Sequence, residues 1–126
     1  MPTLTLICGI PNSGKTTYSK NFDNVVHLDS NETGYAKFLY DECLEAVRNS
    51  TSDICVEGNY RDRRHRIELV NAAKDFHKVC IWLDTPVDIC KQRETRGRSD
   101  RVFDYNYTTL EKPTYDEGWD EIIIKR

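Results

Sequence analysis

Residues 9–16 read Gly-Ile-Pro-Asn-Ser-Gly-Lys-Thr, and this stretch fits the pattern G-x-x-x-x-G-K-[ST] at every fixed position. Its glycines let backbone N–H groups turn toward a polyphosphate, and a helix that follows presents its free N–H groups to the same anion. The Lys15 ammonium can reach the β- and γ-phosphates, and the Thr16 hydroxyl can bind Mg²⁺. The stretch therefore predicts a nucleoside triphosphate site. The residues predicted to bind the nucleotide are Gly9, Pro11, Asn12, Ser13, Gly14, Lys15, Thr16 and Thr17.

Short apolar runs alternate with helical patterns on both sides of this stretch. Strands are predicted at 4–8, 25–28, 54–56, 79–83 and 121–124, and helices at 15–21, 36–47, 61–76 and 86–95. Such alternation is typical of βαβ units, and the continuously apolar strands are typical of a buried parallel sheet. We therefore predict a three-layer α/β fold with a five-stranded parallel sheet. Residues 96–120 are the least regular part of the chain, and we expect them to include a mobile lid.

The length and composition bound the kind of protein. The chain has 126 residues, the usual length of one domain, so we predict a single domain over 1–126 with a lid within 93–120. The longest aliphatic run is three isoleucines at 122–124, which predicts no membrane span, and the N-terminus resembles no secretory signal. The five cysteines form no C-x-x-C pair, which favours reduced, buried thiols and a cytoplasmic protein. These patterns leave the oligomeric state open.

Charge is unevenly distributed along the chain. The formal net charge is -3, but segments 61–66 and 91–101 together hold nine of the 18 Lys and Arg residues and only three of the 21 Asp and Glu residues. An acidic body with two basic segments favours anion binding at defined places over a general coating of nucleic acid.

Residues next to the predicted strands indicate which class of nucleotide-binding protein this is. A GTPase switch needs an N-K-x-D element after a later strand, whereas the fourth strand here ends in Leu-Asp-Thr-Pro at 83–86. A small phosphotransferase fits better, because Asp29 follows the second strand, where it can accept the proton of an attacking hydroxyl. Arg93, Arg96 and Arg98 follow the fourth strand and its helix, where arginines can hold a transferring phosphoryl group. The alternatives are helix capping or a turn for the aspartate and a solvated basic surface for the arginines. The predicted catalytic residues are Asp29, Lys15, Arg93 and Arg96.

Four stretches carry a resemblance to a known family. Residues 9–17 fit G-x-P-x-S-G-K-[ST]-[ST], and Asp29 stands after the second strand. Val-Glu-Gly-Asn at 56–59 stands after the third strand and is followed by the Arg pair at 63–64. Residues 107–123 include Pro-Thr-Tyr-Asp-Glu-Gly-Trp, similar to an ending P-P-T-x-x-E-G-[FW]-x-x-I. In these stretches the chain resembles the polynucleotide 5'-hydroxyl kinase family, which has phage and mammalian members.

The resemblance implies a P-loop kinase fold, ATP and Mg²⁺ as cofactors, and transfer of the γ-phosphoryl group to a 5'-hydroxyl of DNA or RNA. It implies that Asp29 is the base and that Arg96 is the lid arginine. Thr16 and Glu57 are the residues expected near the metal, with Glu57 standing where the family has an aspartate. Basic residues around the start of the third predicted helix are expected to contact substrate phosphates, the alternative being a solvated helix face. The predicted substrate residues are Asn59, Arg61, Arg63 and Arg64.

Other functions remain open from the sequence. Similar small kinases phosphorylate the hydroxymethyl group of modified bases such as 5-hydroxymethyluracil in DNA, or free nucleosides and nucleotides. From another class, the chain could be an ATP-dependent nucleic-acid-binding module with negligible transfer. Tyr105, Tyr107 and Tyr115 are candidates for base stacking, with ordinary packing as the alternative.

Overall fold

The computed structural model describes residues 1–28 and 36–126, with the side chains of 36–38 excepted. The strands are β1 (Thr3–Cys8), β2 (Val25–His27), β3 (Ile54–Glu57), β4 (His77–Leu83) and β5 (Glu121–Lys125). The helices are α1 (Lys15–Ser19), α2 (Ala36–Asn49), α3 (Arg63–Ala72), α4 (Val87–Gln92) and α5 (Asp100–Thr109), with one 3-10 turn at Tyr115–Glu117.

The strands form one five-stranded sheet in the order β2-β3-β1-β4-β5, and all four strand pairs are parallel. The predicted five-stranded parallel sheet is therefore confirmed. β1 lies at the centre, with β3 on one side and β4 on the other, so the chain order reverses beside it. Clefts at the carboxyl ends of strands form where the strand order of an open α/β sheet reverses, and the loop after β1 leaves from this point.

Helices cover both faces of the sheet, which gives the predicted three layers. One face packs against α2 and α3, and the buried residues of this layer include Leu6, Val47 and Leu69. The opposite face packs against α1, where Ile7 is buried and Tyr18 is partly buried. All five cysteines are buried free thiols, as predicted. Within the described residues, no helix combines the length and the apolar character that a membrane crossing requires.

The prediction that 96–120 is irregular is wrong in part, because α5 occupies Asp100–Thr109. Ser99 is its N-cap residue, and Asp100 in the first turn suits the positive end of the helix dipole. Phe103 is the only buried residue of this helix, and it packs with Ile10 and Cys90. A helix with one buried side chain has no apolar stripe, so the periodicity used for the other helices misses it.

Three predicted helices are shorter than expected. The helix predicted over 15–21 spans Lys15–Ser19. The helix predicted over 61–76 begins at Arg63, because Asp62 has an extended backbone with φ -90 and ψ 125. It ends at Ala72. The helix predicted over 86–95 spans Val87–Gln92, since Pro86 also keeps an extended backbone.

A buried ion pair fixes the segment before β5 to α3. The side chains of Arg66 and Glu117 are both fully buried, and the guanidinium donates two hydrogen bonds of 2.8 and 2.9 Å to the carboxylate. Arg66 also donates to the backbone carbonyl of Tyr60 at 2.7 Å, while Trp119 donates to Glu117 at 3.0 Å. Each charge is thus paired and hydrogen-bonded, as burial requires.

Two glycines with left-handed backbones provide a matched stability test. Gly118 has φ +111, and a Cβ there would lie 2.6 Å from Cγ1 of Val70, whereas Gly97 has φ +81 and no heavy atom within 4 Å of such a Cβ. Gly97→Ala should lower the free energy of unfolding by about 1 kcal/mol through backbone strain alone. Gly118→Ala should lower it by about 3 kcal/mol, because the overlap adds to the strain.

Urea unfolding of both variants measures this difference. Equal losses in the two variants would mean that the turn at Gly118 shifts away from Val70 at no cost.

Candidate active site

An open cleft of about 1270 Å³ lies at the carboxyl ends of the strands. Residues that follow β1, β2, β3 and β4 all line it, so positions far apart in sequence meet at one edge of the sheet. Of the predicted site residues, those that line the cleft are Pro11, Asn12, Ser13, Gly14, Lys15, Thr16, Thr17, Glu57, Asn59, Arg93 and Arg96.

The loop over residues 9–14, here called the phosphate loop, leaves β1 in a tight turn that requires glycine at its start. A Cβ on Gly9 would lie 2.6 Å from Oγ of Ser13 and 2.8 Å from the carbonyl oxygen of Leu83. At the end of the loop, Gly14 has φ +100 and is the N-cap residue of α1, with no side-chain hydrogen bond capping the helix. This geometry leaves the first N–H groups of α1 without a capping side chain, as an anion site requires.

Two side chains donate hydrogen bonds to backbone carbonyls of the phosphate loop. Lys15 donates to the carbonyls of Gly9 at 3.0 Å and Ile10 at 2.8 Å. Thr85, which follows β4, donates its hydroxyl to the carbonyl of Ser13 at 2.8 Å. Because these carbonyls are held, the loop is prepared to present N–H groups to a bound phosphate.

Lys15 is buried, with 8% of its surface exposed. Burial lowers the pKa of its ammonium from 10.5 to about 8, against an opposing attraction from Glu57. A poorly solvated cation gains more electrostatic stabilisation from a bound polyphosphate than a solvent-exposed cation does.

Among the described residues of the cleft, the exposed hydroxyl of Thr16 and the carboxylate of Glu57 at the end of β3 are oxygen ligands available for Mg²⁺. Among the described residues, no cluster of three or more His, Cys, Asp or Glu side chains could hold a metal ion. Mg²⁺ at phosphate sites uses one or two protein oxygens together with water and phosphate oxygens, so these two residues fit the ion. The Glu57 carboxylate also bonds Nδ1 of His27. His27 lies in the strand predicted over 25–28 and also lines the cleft, which the alternation of strands and helices does not indicate.

Residues 93–98, which follow α4 and are here called the arginine segment, bring arginines to the cleft. Arg93 donates to the carbonyl of Asn12 at 3.1 Å, and Arg96 lines the cleft. Arg98 also lines it and is bonded to Glu94 at 2.8 Å through Nε and to Oδ1 of Asn12 at 2.9 Å. The contact of Glu94 with the loop is not predictable from the sequence, since a glutamate within a basic segment carries no signal of a partner in the loop.

The basic residues around the start of α3, unlike the arginines after α4, lie outside the cleft lining. Arg63 is bidentate to Asp116 at 2.9 Å for both bonds, and the guanidinium of Arg61 lies 4.9 Å from the ring centre of Tyr105. Arg64 has an 81% exposed side chain. Within the described part of the chain, the residues lining the cleft include none of these three arginines. Their contact with substrate stays a prediction, and so does the role of Asp29, which lies outside the described residues.

Comparison with known proteins finds a relative in sequence. No family model matches the chain. The chain is similar to an L-seryl-tRNA(Sec) kinase of Methanococcus maripaludis, with 28% identity over 144 aligned positions. The alignment covers 93% of this chain and 56% of the relative, so the chain spans little more than half of the relative's length.

Solved structures are similar over nearly the whole chain. A gluconokinase from Sinorhizobium meliloti 1021 is 15% identical with a TM-score of 0.72, covering 98% of this chain and 81% of that one. Kti12 of Chaetomium thermophilum, in complex with ADP-AlF3, is 13% identical with a TM-score of 0.71 and covers 96% and 87%. Shikimate kinase from Acinetobacter baumannii, in complex with shikimate, is 16% identical with a TM-score of 0.65 and covers 100% and 84%.

Kinases recur among these similar proteins, and none of the proteins named is a polynucleotide kinase. The five parallel strands, the helices on both faces and the loop after β1 agree with these structures. The chain therefore has the α/β fold of the P-loop kinases.

Proposed function

We propose that the protein is an ATP-dependent phosphotransferase that moves the γ-phosphoryl group to a hydroxyl of a nucleic acid, with a polynucleotide 5'-hydroxyl as the first candidate. The observation that carries the proposal is the complete phosphate loop in the cleft, with the buried Lys15 at its end and the arginine segment beside it. The similarity to a kinase whose name gives a tRNA as its substrate supports an acceptor carried by nucleic acid.

The charges that line the cleft favour an acceptor without a terminal phosphate. On the side formed by the ends of β2 and β3, the described lining residues are His27, Leu28, Glu57 and Asn59. A nucleoside monophosphate acceptor needs cations for its phosphate, whereas a free hydroxyl end does not. Because the described residues on this side include no lysine or arginine, we favour a 5'-hydroxyl end over a nucleotide.

In the proposed mechanism the acceptor hydroxyl attacks the γ-phosphorus in line with the leaving oxygen. Asp29 accepts the hydroxyl proton, and Lys15 neutralises the β- and γ-phosphates. Thr16 and Glu57 would hold Mg²⁺, which would offset the negative charge that develops on the phosphate oxygens. Arg93 and Arg96, which line the cleft, hold the transferring group. The basic segment 61–64 is assigned to the nucleic acid outside the cleft.

Transfer of labelled γ-phosphate to a panel of acceptors tests this proposal. The panel holds oligonucleotides with a 5'-hydroxyl, a duplex with 5-hydroxymethyluracil, seryl-tRNA, free nucleosides and nucleoside monophosphates. Label on the oligonucleotide that is lost with its 5' nucleotide supports the first candidate. Label that stays after removal of the 5' end places the acceptor on the base. Binding of ATP without transfer to any acceptor would contradict a phosphotransferase and favour a binding module.

Asp29→Asn tests the base directly. The amide cannot take a proton, so we expect transfer to fall by about 100-fold while the dissociation constant of ATP stays within about twofold, since the phosphate loop is untouched. Asp23→Asn, which removes an exposed carboxylate at the other end of β2, is the matched control and should transfer normally. Near-normal turnover of Asp29→Asn would refute the assignment.

A further inference from the structure

The side chain of Asn12 ties the phosphate loop to the arginine segment. Asn12 has a left-handed backbone with φ 64, and its amide donates to the carbonyl of Cys90 at 3.1 Å and to Glu94 at 3.2 Å. Its amide oxygen accepts from Arg98 at 2.9 Å, and its backbone carbonyl accepts from Arg93 at 3.1 Å. The fourth residue of the loop is thus held from several directions by residues 90–98.

Glu94 is the group that organises this contact. Its carboxylate accepts from the backbone N–H of Arg98 at 2.7 Å and from the guanidinium at 2.8 and 3.0 Å. The Glu94 side chain is only 10% exposed and that of Arg98 only 19%. The guanidinium is also packed 5.4 Å from the ring centre of Phe103. Glu94 therefore bonds the arginine and the loop asparagine at the same time.

A carboxylate beside a polyphosphate site costs binding energy through repulsion unless it has a compensating role. The hydrogen bond from Arg98 is the main cause that lowers the pKa of Glu94 to about 2, so the group stays ionised at all ordinary pH values. The negative charge of Glu94 is balanced by the Arg98 guanidinium to which it bonds. Oε1 of Glu94 also accepts from the side-chain amide of Asn12 and so fixes that side chain. Since the direction of the loop N–H groups depends on the unusual backbone of Asn12, holding that side chain holds the anion site.

We infer that Glu94 is a positioning residue for nucleotide binding: by bonding Arg98 and Asn12 together, it fixes both the phosphate loop and the arginine segment in the shape that receives a triphosphate. This inference rests on the proposed ATP site. It predicts that Glu94, although an acid in an anion site, strengthens nucleotide binding.

Calorimetric titration with ADP and Mg²⁺ measures the effect. Glu94→Ala should raise the dissociation constant by about 10- to 100-fold, the usual worth of a charged hydrogen-bond partner, and Glu94→Asp should recover part of the loss. Glu42→Gln, which removes an exposed carboxylate on α2, is the matched control and should bind as the wild type does. Unchanged or tighter binding by Glu94→Ala would overturn the inference, whereas failure of the wild type to bind ADP would overturn the ATP site itself.

A double-mutant cycle separates positioning from a loss of stability. If Glu94 acts through Asn12, then Glu94→Ala combined with Asn12→Ala binds ADP about as weakly as the weaker single variant. Glu94→Ala should also raise the KM for ATP, while a purely structural loss lowers apparent kcat through a smaller folded fraction and leaves KM unchanged. Additive effects in the cycle, or an unchanged KM, would overturn the positioning role.

Discussion

Lys15→Met should transfer γ-phosphate at least about 10³-fold more slowly than the wild type. The ammonium of Lys15 is buried at the end of the phosphate loop and holds the carbonyls of Gly9 and Ile10. Methionine fills a similar volume but has neither a charge for the phosphates nor a donor for the carbonyls. We therefore expect loss of ATP binding together with loss of transfer.

Lys20→Met is the matched control for this variant. Lys20 lies at the other end of α1 and is exposed, so its replacement removes the same charge and should leave transfer and ATP binding near the wild-type values. Transfer by Lys15→Met within tenfold of the wild type would contradict the role of the loop in phosphate binding.

The same lysine gives a dependence of stability on pH with a defined sign. Burial lowers the pKa of Lys15 to about 8, from 10.5, so between these pH values the unfolded chain binds more protons than the folded one. The free energy of unfolding then rises with pH in this window, by up to about 3 kcal/mol for a shift of this size. The Lys15→Met variant lacks this pH-dependent contribution to the free energy of unfolding.

Urea unfolding of both proteins at pH 7 and pH 10 isolates this contribution, because the other titrating groups are common to both. The wild type should gain stability relative to Lys15→Met as the pH rises. A difference that does not change with pH would show that Lys15 is solvated in the folded state.

Features that depend on a short stretch of sequence were predictable. The strand, loop and helix at 4–19 follow from local residues, since the tight turn at Gly9 and the N-terminus of α1 need no distant partner to be recognised. The meeting of Glu57, Asn59 and Arg93 beside that loop was also predictable. Parallel strands end at the same edge of a sheet, so residues that follow them must lie near one another.

Features that depend on a specific distant partner were not predictable. Asn12 and Glu94 are 82 positions apart, and nothing in either local stretch marks the contact. Arg63 was assigned to substrate from its basic neighbours, yet its guanidinium bonds Asp116, which is 53 positions away. Periodicity and motif spacing carry no information on such pairs, because they are fixed by how the helices pack on the sheet.

Glu117→Gln should lower the free energy of unfolding by about 3–5 kcal/mol, the usual effect of breaking a buried ion pair. The amide leaves the fully buried Arg66 charged and without its counter-ion. The hydrogen bond from Trp119 to Glu117 is also weakened, because a neutral oxygen accepts it less strongly. Thermal unfolding measures the loss as a midpoint lower by about 10–20 °C.

Asp116→Asn is the matched control, since it removes one carboxylate at the preceding position. Asp116 pairs with Arg63 in an exposed geometry, with 70% of the Asp116 side chain and 35% of the Arg63 side chain exposed, and exposed ion pairs contribute little. Its loss of stability should be much smaller than that of Glu117→Gln. A double variant, Arg66→Met with Glu117→Leu, should recover part of the stability that Glu117→Gln loses, because no charge is then buried without a partner. Equal losses for Asp116→Asn and Glu117→Gln would mean that water reaches the Arg66 pair, and that packing rather than charge holds the C-terminal segment on α3.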